Sequence, residues 1–189
     1  MNIKTRDIIL VALFTALMTV GAFVRIPFPY VPLTFQPFFC ALAGLILGPK
    51  LGTLSQVIYV AAGLAGIPVF TQGSGPLYVL KPSFGYLIGF ITAAYVIGKM
   101  CEKLNAMKFH NILISLVCGL FAIYLAGVPY SYLISRFYLG NQSTTLWYIA
   151  VSSILFFIKD LVLYIIVAAV TYKILPVLRN AGLLGHLAK

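Results

Sequence analysis

Long apolar blocks fill the chain, and proline, glycine and basic residues separate them. The first block, residues 8–24, makes roughly 25 Å of helix at 1.5 Å per residue, close to one membrane crossing. Residues 25–32 end it, because Pro27, Pro29 and Pro32 cannot continue a helix. Two short blocks follow, residues 35–47 and 51–64, joined by Gly48, Pro49 and Lys50. Neither comfortably crosses a hydrocarbon core of about 30 Å alone, and such interrupted segments often enclose a cavity. A Gly/Pro-rich loop covers residues 66–83. The later blocks are residues 84–97, residues 112–133 with an expected kink at Gly127 and Pro129, and residues 147–178. The last is too long for one straight span. It divides into a shallow amphipathic helix, residues 146–157, and a sixth span, residues 159–175.

Charge placement orients these spans. Lys4, Arg6, Lys50, Lys99, Lys103, Lys108, Lys173, Arg179 and Lys189 fall on one side, and only Arg25, Lys81 and Arg136 on the other. By the positive-inside rule both termini are cytoplasmic and the Pro-rich and Gly-rich loops are outside. The block at residues 8–24 lacks a clear small-residue cleavage site and reads as a span, not a cleaved signal. The three acidic residues are Asp7, Glu102 and Asp160, and Asp160 alone lies deep inside an apolar block. It precedes Lys173 by thirteen residues, roughly 20 Å of helix, so it belongs to the outer half of the membrane. A carboxylate there costs about 2.5–3.5 kcal/mol and faces a bundle interior or a polar pathway. Two readings follow: a Lys159–Asp160 pair locking two helices, or a polar contact for a small ligand in a cavity under the outer loops.

Composition fixes the solvent. With 62% hydrophobic and 8% charged residues, the chain is an all-α integral membrane protein, residues 1–189 forming one six-helix domain. The net charge of +10 does not indicate nucleic acid, because the basic residues lie between spans and form no patch. Cys40, Cys101 and Cys118 have no metal-type spacing and read as packing residues, so no metal site is expected. An intramembrane enzyme is disfavoured, since the blocks hold one carboxylate and no histidine; His110 and His186 fall on the inner side. Gly73, Ser74 and Gly75 form a flexible loop, not a phosphate cradle. No internal repeat is visible.

Four stretches carry a resemblance: VPLTFQ (residues 31–36), LGPKLGTLSQ (residues 47–56), GLAGIPVF (residues 63–70) and KPSFGYLIGF (residues 81–90). Together they resemble the signature segments of the BioY family, the biotin-specific S components of energy-coupling-factor (ECF) transporters. The resemblance covers most of the chain. It implies an S-component fold of six helices in a prokaryotic cell membrane, biotin as ligand without a cofactor, and partnership with a membrane scaffold subunit and paired ATPases. In this family a lysine commonly stands three residues after the last-helix aspartate. Leu163 holds that place here, and Lys159 and Lys81 are the candidate replacements.

Biotin presents a carboxylate, an apolar chain and a ureido ring with two N–H donors and one carbonyl. Asp160 is the candidate acceptor for a ureido N–H. Tyr164, four residues on, shares its helix face, whereas Lys159 projects about 100° away and can bend over the rim or snorkel outward. Lys81 in the outer loop reads as a carboxylate partner or as an interfacial anchor. Gln36, Gln72, Ser83 and Tyr86 are the other hydrogen-bonding residues nearest the cavity. Ala12 and Ala16 fit the small-xxx-small pattern, which resembles the S-component face that meets the scaffold subunit. Thiamin in place of biotin remains chemically open. Lacking a nucleotide-binding motif, the chain either borrows energy from ATPase partners or works as a solitary facilitator.

Overall fold

A computed structural model describes residues 4–27, 31–104, 108–141 and 145–180. His186, Lys189 and the tip of the Pro-rich loop lie outside the described residues. The structure is mostly helical, and among the described residues five helices are long and apolar enough to cross a membrane. In chain order the elements are α1 (Thr5–Phe23), β1 (Arg25–Ile26), β2 (Leu33–Thr34), α2 (Gln36–Leu64), α3 (Phe84–Leu104), α4 (Phe109–Leu133), α5 (Leu146–Ser152) and α6 (Ile154–Asn180). Helices α2, α3 and α4 pack side by side, with α1 against α2 and α6 against α4 and α2.

Helix α2 is not one straight rod. Gly48 has φ 76° and ψ −175°, a conformation essentially reserved for glycine, and Pro49 follows it. The chain reverses there. Gln36 and Tyr59 would stand roughly 34 Å apart in a continuous helix, yet their side chains are hydrogen-bonded at 3.0 Å. The two short apolar blocks of the sequence are therefore the arms of a helical hairpin, residues 36–47 and 49–64. Its tip nests against α3 at Gly98, where a Cβ would come within 2.3 Å of the Pro49 backbone nitrogen. Apolar solvent gives helices little reason to associate, so backbone contact at small residues supplies the packing.

Several boundaries differ from the sequence reading. The Pro-rich loop carries a two-stranded ladder, Arg25 opposite Thr34 and Ile26 opposite Leu33, so it is a hairpin whose ends are hydrogen-bonded. Helix α3 continues to Leu104, because nothing after Ile97 breaks a helix. Helix α4 runs through Gly127 and Pro129 as one helix; the irregularity comes later, as a π-helical turn over Ile134–Tyr138. The terminal apolar block divides at Ser153, a few residues before the expected point. Helix α5, capped by Thr145, has no buried residue, and α6 starts at Ile154.

Helix α6 shows the clearest two-faced pattern. Asp160, Leu163, Tyr164, Val167, Ala168 and Thr171 are buried at spacings of three, four, seven, eight and eleven residues, one helical stripe. Ile158, Val162, Ile165, Ile166 and Val170 are exposed on the other side. A helix with apolar residues outward and its acid inward is folded for a lipid solvent.

Candidate functional site

The strand ladder, the residue 66–83 loop and the open ends of the α2 hairpin lie at one end of the bundle, away from the Gly48 turn, and enclose a cleft there. Its empty volume, which includes space open to solvent, is about 480 Å³. The β-hairpin contributes Val31, Pro32 and Thr34. Helix α2 adds Gln36 and Pro37, and the loop adds Thr71, Tyr78 and Ser83. Tyr86, Leu87 and Phe90 come from α3, Ile123 and Tyr124 from α4, and Phe156, Lys159 and Asp160 from α6. Aromatic and aliphatic walls thus carry a few convergent polar groups.

Asp160 is 4% exposed and holds two contacts. The Tyr124 hydroxyl donates to Oδ2 at 2.8 Å, and Lys159 Nζ forms an ion pair with Oδ1 at 2.5 Å. Lys159 Nζ also donates to the Thr34 carbonyl at 2.6 Å, tying α6 to the end of the β-hairpin. The outward course considered for Lys159 is therefore corrected. Its stem bends back across the 100° offset, so that neighbouring residues serve one cleft. Helix lock and cleft wall are one structure here, since the same pair does both.

The loop is fastened by hydroxyl groups. Ser83 donates to the Tyr78 hydroxyl and Thr71 shares a hydrogen bond with it, each at 3.2 Å. Helix α4 holds the loop from the far side: Tyr130 donates to the Val79 carbonyl at 2.5 Å and Ser131 to the Pro82 carbonyl at 2.7 Å. Tyr86 reaches Ser153 at 3.2 Å, where the last apolar block divides, and stacks edge-on with Tyr124 at 5.7 Å.

Of the residues singled out in the sequence, Asp160, Lys159, Gln36, Ser83 and Tyr86 line this cleft. Lys81 does not line it. Its ammonium donates to the Gln72 carbonyl and lies 5.1 Å from the centre of the Tyr78 ring, so Lys81 and Gln72 form a rim around a lining residue. Tyr164 is on the stripe of Asp160 but fully buried and outside the cleft wall, one helical turn deeper. Ala12 and Ala16 are exposed on α1, and neither lines the cleft. Sequence reasoning missed Thr34, Thr71, Tyr78 and Tyr124. Thr34 meets Lys159 through its backbone carbonyl, which no side-chain pattern reveals. Tyr124 is one of twelve tyrosines, and only the register of α4 on α6 distinguishes it.

Comparison with known proteins agrees with this architecture. The BioY family model matches residues 1–180. The chain is 40% identical over 178 residues to a probable biotin transporter BioY of Lysinibacillus sphaericus, covering 94% of this chain and 91% of that protein. It is 45% identical over 124 residues to the biotin transporter BioY of Thermotoga maritima, covering 65% of this chain and 72% of that one. Among solved structures, it resembles the S-component for biotin from an ECF-type ABC transporter. The TM-score is 0.70 and the identity 26%, with 89% of this chain and 90% of that chain covered. With the match spanning all but the last nine residues, this chain belongs to the BioY family.

Proposed function

We propose that this chain is the biotin-binding and transport subunit of an ECF transporter, which captures extracellular biotin in the cleft and is not an enzyme. The observation that carries the reading is the buried Asp160 at the cleft wall, with Lys159 and Tyr124 on its two oxygens. A ureido ring needs acceptors for its N–H groups and a donor for its carbonyl, and this group supplies both kinds. Lys159 provides the cation that Leu163 cannot. Lys81, with Gln72 at the rim, is placed to meet the ligand's carboxylate where it emerges. Ser83 and Tyr86 complete the polar wall, and Tyr164 supports α6 from beneath without touching ligand.

Counting the α2 hairpin as two passes gives six, an even number, and so puts both termini on one side. The basic residues clustered at that end assign it to the cytoplasm, in the plasma membrane of a prokaryote. The chain has no nucleotide-binding motif. The likeness to an S-component from an ECF-type ABC transporter supports energy drawn from a scaffold subunit and paired ATPases, with α1 carrying the contact through Ala12 and Ala16.

The test is isothermal titration of the purified protein in detergent, without ATP. Biotin is expected to bind and thiamin to give no heat. Binding of thiamin without biotin would reassign the ligand. ATP-independent biotin uptake in cells lacking every ATPase partner would favour a solitary facilitator.

A further inference from the structure

Tyr59 lies on the return arm of α2, 1% exposed and outside the cleft wall. Its hydroxyl stands between two partners, the Gln36 amide nitrogen Nε2 at 3.0 Å and the Val69 carbonyl oxygen at 2.9 Å. A phenol has one proton to donate, and a carbonyl oxygen can only accept. The proton therefore goes to Val69, and Tyr59 meets Gln36 as an acceptor. That settles the sense of the Gln36 amide. Its NH₂ end faces Tyr59, because a flipped amide would set two acceptors against each other at 3.0 Å. The carbonyl Oε1 is left as the acceptor of a side chain that lines the cleft. The anchor is packed: the Phe70 ring lies edge-on to Tyr59 at 5.5 Å and tilted against Tyr78 at 4.4 Å.

We propose that Tyr59 is a positioning residue that fixes Gln36 as a hydrogen-bond acceptor in the cleft, so that Gln36 and Asp160 together accept the two N–H groups of a cyclic urea. The proposal rests on the biotin reading above and adds a selection rule to it. A ligand with one N–H and one bare acceptor at that ring meets a mismatched cleft. Without Tyr59 the amide is free to turn, and the rule relaxes.

A double-mutant cycle tests this, with biotin affinity measured by titration for the wild-type protein, Tyr59→Phe, Gln36→Met and the double variant. Each single change is expected to weaken binding about 3- to 10-fold, the size of one neutral hydrogen bond. The double variant is expected to bind no more weakly than Gln36→Met, since no amide is left to orient. An equal loss from Tyr59→Phe in both backgrounds, or no loss in the wild-type background, would overturn the proposal. A second measurement does not need the tyrosine variant to fold. Biotin methylated on either ureido nitrogen should bind the wild-type protein at least about tenfold more weakly, and Gln36→Met should lose that discrimination at one nitrogen only. Wild-type affinity for both methylated ligands, or discrimination unchanged in Gln36→Met, counts against it. Absence of any biotin binding by the wild-type protein would instead remove the underlying reading, and the first titration shows that separately.

Discussion

At Asp160 a carboxylate is kept inside an apolar bundle by one cation and one hydroxyl, both on the cleft side of the helix. Removing the Lys159 cation leaves the carboxylate's charge uncompensated, which in buried pairs costs about 3–5 kcal/mol. Lys159→Met should therefore lower thermal stability in detergent, and Asp160→Asn added to it should restore much of the loss. For the ligand, a carboxylate accepting N–H makes a bond worth about 1.5–3 kcal/mol, or roughly 10- to 150-fold in affinity. Asp160→Asn should weaken biotin binding within that range, measured by titration on the folded fraction. A stable Asp160→Asn protein with unaltered affinity would leave the pair a helix lock and nothing more. Asp160 was legible in the sequence because it is the one acid deep in an apolar block, and a bilayer makes such a residue expensive. The course of Lys159 was not legible. Projection by 100° per residue describes Cβ atoms, and four methylenes and an unpaired carbonyl at Thr34 outweigh it.

At the scale of elements, the break in α2 decides how the cleft is built. Gln36 and Tyr59 meet because the chain reverses at Gly48, and the reversal is held by Gly98 of α3 pressed on Pro49. The conformation at Gly48 costs a residue with a side chain about 1–3 kcal/mol. Gly48→Ala should lower the unfolding midpoint in detergent. Gly98→Ala, whose Cβ would meet backbone and not a yielding side chain, should do at least as much. Because both act on one joint, the double variant should lose less than the sum. A wild-type midpoint in Gly48→Ala would show that the turn is held by α3 alone. The hairpin could be read from sequence as two blocks too short to span, with Gly and Pro between them. The β-ladder at Arg25–Ile26 and Leu33–Thr34 could not, since two-residue strands have no period and their pairing depends on where α1 and α2 end. The same holds for Ser153, where a turn with no Gly or Pro signal separates α5 from α6.

For the whole molecule, burial is uneven in a way that bears on partners. Helix α1 buries Val11, Phe14, Met18, Gly21 and Ala22, and the rest of its 19 residues face outward or sit at the edge of the contact. Lipid accounts for the exposed Ile8, Ile9, Leu13, Val20 and Phe23, but lipid does not require alanine. Ala12 and Ala16, one turn apart on the open side, make a flat strip where another helix can approach backbone to backbone. The cleft draws none of its lining from α1, so a change on this strip leaves the ligand site intact. Ala12→Trp or Ala16→Trp should therefore bind biotin as the wild type does in detergent, yet fail to co-purify with a scaffold and ATPase module and lose ATP-driven uptake in cells. Valine at the same positions, filling the strip without crossing it, should give an intermediate loss. If the tryptophan variants lose biotin binding together with uptake, the strip packs inside this chain and the partner face must be sought on another helix. If they keep both, transport does not pass through α1, and the energy source is reached some other way.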